Sequence, residues 1–225
     1  EYAPNEIDLL RIYQDNAGAQ DLQSELTYNT QHQPLTYLNA AGELTQYTYN
    51  ASGQLTTKTI NNDELTTYEY DPEGYLLKVI NKDNAVIYDF TYDSIGRVLT
   101  QTDEDGYILG FGYDELDRII RITHPDSTYR EYTWLNLDIN TLRDRFGRIT
   151  TYDYDAERRL TRITDPFGRY VSYDYYRNGK LKSYTDAQQR ITTWNRDIQS
   201  RVTSIDYPDG ASQQYIYENT RSRVA

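Results

Sequence analysis

One pattern governs how this chain folds: an aromatic-x-aromatic pair that returns about every 21 residues. The second member of the pair falls at Tyr28, Tyr49, Tyr70, Tyr92, Tyr113, Trp134, Tyr154, Tyr175 and Tyr217, with Arg196 filling the one gap, in steps of 20 to 22 residues. The first member runs Leu26, Tyr47, Tyr68, Phe90, Phe111, Tyr132, Tyr152, Tyr173, Trp194 and Tyr215. Ten registers of one pattern exclude coincidence, and a period of this length means a stack of small, similar structural units.

Each unit has the same internal order. Asp or Asn follows the pair at Asn50, Asp71, Asp93, Asp114 and Asp155. Then comes glycine at Gly53, Gly74, Gly96 and Gly179, replaced by Asp117 or Arg158 in two copies. A basic residue (Arg97, Arg118, Arg159, Lys180, Arg201) precedes an aliphatic one (Leu55, Leu76, Val98, Ile119, Leu160, Leu181, Val202), and a second turn closes the unit, as in Asp103-Glu104-Asp105-Gly106 or Tyr207-Pro208-Asp209-Gly210.

The unit therefore reads strand, turn, strand, turn. Tyr, Thr, Val and Ile dominate between turn clusters of Asp, Asn, Gly and Pro, and residues at i and i+2 share one face of a pleated strand. As helices the segments would be too short and too poor in good helix formers. The fold class expected is all-β, with antiparallel strands. Two strands per unit over about ten units give a sheet of about 20 strands, some 90–95 Å wide at about 4.8 Å per strand. Open twisted sheets seldom exceed about ten strands without curling, so a spiral or a hollow shell is expected.

Composition argues against a thick core. The apolar share is 37%, and it falls to about 26% without the 25 tyrosines. Strict alternation in the unit around Tyr152 puts Leu160 and Arg162 on one face and Thr161 and Ile163 on the other, so neither face is expected to be purely apolar. That suits a thin wall wetted on both sides and lined with tyrosines whose hydroxyls find partners.

The ends of the chain also belong to the repeat. Leu9-Leu10-Arg11-Ile12 reads like Leu160-Thr161-Arg162-Ile163, and Tyr215-Ile216-Tyr217 is followed by only part of a second strand. The expectation is a single array over residues 1–225, cut within a unit at both ends and without the caps that solenoids need, so an excerpt of something longer. The absence of methionine points the same way.

Charge and cysteine limit the partners. With 23 Lys+Arg against 35 Asp+Glu the net charge is −12, which repels phosphate backbones and disfavours nucleic acid. Residues 1–115 hold 5 basic and 20 acidic side chains, and residues 116–225 hold 18 and 15, a gradient that either orients contacts with a partner or reflects drift among surface positions. No cysteine is present, which removes disulfide frameworks and thiolate metal sites and is compatible with any redox compartment. No apolar run reaches the roughly 20 residues of a membrane span, and no classical signal peptide opens the segment.

The recurring Tyr-x-Tyr-Asp-x-x-Gly-Arg-Leu/Val is best seen as Phe90-Thr91-Tyr92-Asp93-Ser94-Ile95-Gly96-Arg97-Val98, and more loosely from Tyr152 to Leu160. It resembles the YD repeat of the Rhs family, from about Leu26 to Tyr217. The unit at Tyr132-Thr133-Trp134-Leu135-Asn136-Leu137 departs most, lacking aspartate and glycine, and marks either an irregular strand or a local contact. The resemblance implies a β-sheet cocoon that encloses a C-terminal toxic domain of the same parent chain. Such cocoons occur in bacterial polymorphic toxins and in toxin-complex B and C components, and related repeats occur in teneurins. It further implies partners in a type VI secretion apparatus or a toxin complex, and extracellular delivery from a bacterium.

No residue set suggests an enzyme. Asp165-Pro166-Phe167-Gly168 is similar to the Asp-Pro-x-Gly-Leu junction at which Rhs shells cleave themselves, but Arg169 follows and the repeat continues. It reads as a repeat turn, like Asp71-Pro72-Glu73-Gly74, with the self-cleaving region and the toxin outside this chain. His32 and His124 are far apart, without zinc-site spacing, and read as solvated loop residues. The acidic turn at Asp103–Gly106 lacks the spacing of a calcium loop. Asp153 and Asp155 share a strand face but recur with the period, as do Arg97, Arg118, Arg159 and Arg201, so a ladder of Asp–Arg pairs and tyrosine stacks between strands is expected. No catalytic, cofactor or metal site is assigned.

Three functions compete. The first is a shell segment with no chemistry of its own. The second is a ligand-binding module, since tyrosine-rich repeats of similar length bind sugars or quaternary amines, although those rest on tryptophan-rich patterns and this chain has only Trp134 and Trp194. The third is an adhesive extracellular repeat, disfavoured by the lack of cysteine and by a single glycosylation sequon at Asn50-Ala51-Ser52. Either sheet face could be the inner one.

Overall fold

Short runs of β-branched and aromatic residues bounded by turn formers yield strands of three to ten residues throughout. The computed structural model describes residues 1–16 and 18–217, so the partial strand expected after Tyr217 lies outside the described residues. Twenty strands and no helix occur among the described residues, as the repeat requires. The chain divides into two compact units, Glu1–Phe111 and Gly112–Ala225.

In the first unit, consecutive strands pair antiparallel from β1 (Arg11–Asn16) through β2 (Ala19–Tyr28), β3 (Pro34–Asn39), β4 (Leu44–Tyr49), β5 (Leu55–Ile60), β6 (Glu64–Tyr70), β7 (Leu76–Ile80), β8 (Val86–Tyr92) and β9 (Val98–Asp103) to β10 (Ile108–Tyr113). In the second the same meander runs from β11 (Ile119–Thr123) through β12 (Tyr129–Leu135), β13 (Asp138–Arg143), β14 (Ile149–Tyr154), β15 (Leu160–Thr164), β16 (Tyr170–Tyr175), β17 (Leu181–Thr185), β18 (Ile191–Arg196) and β19 (Val202–Asp206) to β20 (Ser212–Gln214). The turns after the aromatic pairs lie along one edge of each unit, and the remaining turns lie along the other.

Most turns share one geometry. Asp93 N–H donates to Arg97 O at 2.9 Å and Gly96 N–H to Asp93 O at 3.1 Å. The residue three after the Asx takes a left-handed backbone, φ 86° at Gly96, where glycine carries no steric penalty. Arg158 occupies the same conformation at φ 63°.

Next to these turns sits a feature that strict alternation misses. In β14–β15, Tyr152 faces Ile163 and Asp153 faces Arg162, but Tyr154 faces Leu160, so Thr161 is an extra, bulged residue. Directly opposed residues share a face. Tyr152, Tyr154, Leu160 and Ile163 therefore lie together, and Asp153, Arg162, Thr151 and Thr164 lie on the other side. The expected mixed faces are corrected: the bulge shifts side-chain parity by one and sorts apolar from polar. The same slip precedes the second position of the pair in β2–β3, β4–β5, β6–β7, β8–β9, β16–β17 and, at Arg196, β18–β19.

The uneven steps of the period have local causes. The 22-residue step from Tyr70 to Tyr92 contains a second bulge, at Ile87, because Val79 faces Tyr88 while Ile80 faces Val86. The 20-residue step from Trp134 to Tyr154 uses a two-residue turn, Asn136-Leu137, between the facing Leu135 and Asp138, with Asn136 at φ 54°. The atypical unit is thus a shortened turn on a regular pair of strands. No apolar side chain among the described residues is fully buried; the tyrosine face is half-covered by its own neighbours.

Candidate functional site

The surface that recurs in every repeat is the tyrosine face, and its second aromatic has a defined partner. The phenol of Tyr49 donates to Pro34 O at 2.8 Å, Tyr70 to Leu55 O at 2.8 Å, Tyr92 to Leu76 O at 2.7 Å, Tyr154 to Ile139 O at 3.0 Å and Tyr175 to Leu160 O at 2.8 Å. Tyr28 and Tyr217 reach Leu9 O and Val202 O. Each bond ties a strand end to the preceding repeat. Where tyrosine is replaced, the donor persists: Trp134 Nε1 reaches Ile119 O at 3.2 Å and Arg196 Nε reaches Leu181 O at 3.4 Å. The position requires a long side chain ending in a donor, which is why Trp and Arg appear there. Burial raises the phenol pKa at Tyr49, Tyr70, Tyr92 and Tyr154, keeping the donor protonated.

Tyr175→Phe removes this bond while keeping the ring under the Arg159 guanidinium, 5.0 Å from its centroid. A stability loss of about 1 kcal/mol is expected, read as a lower urea midpoint with unchanged slope.

The first aromatic packs on the same face: Tyr47 faces Lys58, Tyr68 faces Val79, and Tyr173 faces Tyr184 with ring centroids 5.5 Å apart. The polar face is built from matched opposites. Thr27 bonds Thr36, Thr48 bonds Thr57, Thr91 bonds Thr100 and Thr133 bonds Thr141, at 2.6–2.7 Å. The equivalent position elsewhere sets Glu69 opposite Lys78, and Asp174 and Asn195 bonded to Ser183 and Ser204. This exchange of matched pairs was legible in the sequence only once the bulge fixed the register.

The Asp–Arg pairs are corrected from an inter-strand ladder to clamps closing single turns. Asp93 Oδ1 accepts the Ile95 and Arg97 N–H groups while Oδ2 accepts Arg97 Nε at 2.7 Å. Asp114–Arg118, Asp155–Arg159 and Asp197–Arg201 repeat this, and on the opposite edge so do Asp144–Arg148, Asp165–Arg169 and Asp186–Arg190. Asn29–Gln33 and Asn50–Gln54 are amide versions. The residue closing the clamp then reaches the next repeat: Gln33 Nε2 bonds Gly53 O, Gln54 Nε2 bonds Gly74 O, and Arg118 Nη1 bonds Asn136 O. Arg118 and Arg201 lie over Trp134 and Tyr217 at 4.8 and 4.6 Å.

The remaining candidates resolve plainly. Asp165 spends its carboxylate on Phe167 N–H, Arg169 N–H and the Arg169 guanidinium, the geometry of a repeat turn. Asp71 closes its turn on Tyr75 N–H. Asp153 and Asp155 do not act together: Asp153 faces Arg162 on the polar face, and Asp155 has left the strand to close its turn. Asp103 Oδ1 accepts Asp105 and Tyr107 N–H. The sequon side chain of Asn50 is held by Ser52, Gln54 and the Gln54 amide. His32 lies exposed in a turn and contacts the buried Asp8 at 3.1 Å, whereas His124 differs from the solvated loop residue expected: it is half-buried in a turn, its pKa lowered chiefly by desolvation. No metal-binding cluster occurs among the described residues, and no helix is long and apolar enough to cross a membrane.

Comparison with known proteins agrees with this architecture. The family described as Teneurin YD-shell matches residues 11–138, and that described as RHS Repeat matches residues 141–170 and 175–212. No curated protein sequence matches. Among solved structures, TcdB2-TccC3 is similar at a TM-score of 0.51 and 13% identity over 94% of this chain and 17% of that one. TcdB2-TccC3 without its hypervariable C-terminal region is similar at 0.50 and 11% identity, over 93% of this chain and 16% of that one. The chain thus spans about one-sixth of the length of the structures it matches, and the likeness is one of fold.

Proposed function

From the premise that the chain belongs to the Teneurin YD-shell family, with Rhs repeats over its second half, we propose that it is a stretch of shell wall. The reading assigns it no chemistry of its own. The observation that carries this reading is the one-layer construction: a sheet with an aromatic face, a polar face and no fully buried apolar side chain among the described residues, held repeat to repeat by phenol–carbonyl bonds and turn clamps. Residues that recur in every unit serve the wall and not one local reaction.

In this reading the repeats curl into a spiral, favoured by about one bulge per two-strand repeat, which increases local twist. The parent protein closes such a wall around its own C-terminal effector domain and is delivered outside a bacterial cell, through a toxin complex or a type VI apparatus. The likeness to toxin-complex structures supports a structural role of this kind.

The test uses the parent protein purified from its source, with its mass compared under native and denaturing conditions. A C-terminal fragment that co-purifies natively and separates only on denaturation is expected. A single uncleaved chain with no enclosed domain would overturn encapsulation and leave the repeats as an open binding or adhesive surface.

A further inference from the structure

On the edge of the aromatic pairs, three aspartate-closed turns make the same three-part contact. At Asp114, Asp155 and Asp197 the Oδ2 atom accepts the Nε–H of the arginine four residues on, at 2.6–2.7 Å. Each of those guanidinium groups also lies over the aromatic ring of the next repeat, Trp134, Tyr175 or Tyr217. The cation is therefore shared between a carboxylate and a ring, and it gains from both the charge-assisted hydrogen bond and the cation–π contact.

The turn at Asp71 keeps the carboxylate and the ring but not the cation. Tyr75 stands at the arginine's position, and its ring stacks on Tyr92 of the next repeat at a centroid separation of 5.0 Å. It replaces the stacking and leaves the charge unmatched. Asp71 Oδ1 accepts Tyr75 N–H at 2.7 Å, and no cation pairs with this carboxylate among the described residues. Its charge reaches the neighbouring ring: the Tyr92 phenol pKa is raised chiefly by burial and further by Asp71. Beside these groups lies an open cavity of about 490 Å³, lined among others by Asp71, Glu73, Tyr75, Phe90, Tyr92 and Asp93. Asp93 is held by Arg97 at 2.7 Å, so Asp71 and the exposed Glu73 set the charge of the cavity. Tyr75 keeps 39% of its surface open beside them. The surroundings add to the attraction for a cation, since residues 1–115 hold 20 acidic side chains against 5 basic ones.

We propose that this cavity binds an alkylguanidinium cation, with its N–H groups on the Asp71 carboxylate, Glu73 close by and its planar face against the Tyr75 ring. The bound group supplies from outside the charge that Arg118, Arg159 and Arg201 supply from within the chain. A guanidinium suits the site better than an ammonium, because its planar fork matches a carboxylate and stacks on an aromatic face. A free small molecule and an arginine side chain of a bound polypeptide both present this group. The site lies within the first unit and is independent of whether the parent encloses a cargo.

Amide NMR spectra of the isotope-labelled chain test it, in titrations with ethylguanidinium and with a short end-capped peptide carrying one arginine. Saturable shifts centred on the turns of Asp71 and Asp93 are expected. Tighter binding of the peptide identifies a polypeptide as the source of the group, and equal binding identifies a small cation. Asp71→Asn keeps the turn, as Asn50 does with the same backbone bond, and is expected to weaken binding about tenfold or more. Tyr75→Arg places the missing cation within the chain and is expected to abolish binding. The spectra of both variants show directly that the sheet is intact. Absence of saturable shifts, or binding that either folded variant leaves at full strength, would overturn the proposal.

Discussion

Gly96→Ala is expected to be among the most damaging single substitutions in the chain, lowering stability by about 2–3 kcal/mol. Two costs add. The left-handed backbone at φ 86° costs an alanine about 1–2 kcal/mol. A methyl group there would also overlap the ring of Tyr75, which reaches over this turn from the previous repeat and stacks on Tyr92 at a centroid separation of 5.0 Å. Moving that ring forfeits a further ~0.5–1.5 kcal/mol. Gly106→Ala is the control: its φ is 77°, but nothing lies within 4 Å of the added carbon, so only the backbone cost of about 1–2 kcal/mol is expected. Urea unfolding of both variants measures the difference; equal losses would refute the role of Tyr75 as a tie between repeats.

On acidification, the second unit is expected to lose its fold at a higher pH than the first. Six turns in the second unit are closed by Asp–Arg clamps, at Asp114, Asp144, Asp155, Asp165, Asp186 and Asp197. In the first unit the carboxamides of Asn29, Asn39, Asn50 and Asn81 close turns with the same backbone bonds and do not titrate. The bond from Arg118 holds the Asp114 carboxyl below its usual range, and the backbone N–H of Arg190 does so for Asp186. At Asp144, Asp155, Asp165 and Asp197 partial desolvation is the largest single influence and pulls upward, but amide and guanidinium bonds together outweigh it.

A carboxyl lowered on folding contributes stability that is present above its unfolded value, near pH 4, and is lost as pH falls through the folded value. Residues 112–225 also hold 18 of the 23 Lys+Arg, so neutralising the carboxylates leaves that unit strongly cationic and self-repelling. Amide hydrogen exchange from pH 7 to pH 3 should show protection lost first in peptides from 112–217. Loss in peptides from 1–111 first, or in both at one pH, would contradict this.

The two predictions rest on different parts of the repeat, and those parts were unequally visible beforehand. Strand identity, the number of strands, the turn positions and the family resemblance follow from local chemistry: Tyr-x-Tyr runs favour pleated backbone, and Asp-x-x-Gly fixes the turn. The partner of each tyrosine hydroxyl was not visible, because Leu55 O or Leu160 O lies 15 residues back along the chain and a carbonyl carries no residue type. Trp134 and Arg196 held the one available clue, as departures that keep a donor. The Asp93–Arg97 pairing was readable as residue types but not as geometry, since i,i+4 spacing spans a single turn here and not two strands.

The chain's own residues determine that it is a repeating antiparallel β structure with little aliphatic material to bury, because composition and period are local properties of the sequence. The two-sided character of that sheet was decided by the folded register. One bulged residue such as Thr161 inverts every side chain beyond it, placing Ile163 with Tyr152 and Arg162 with Asp153, and whether a strand bulges depends on which partner strand it meets.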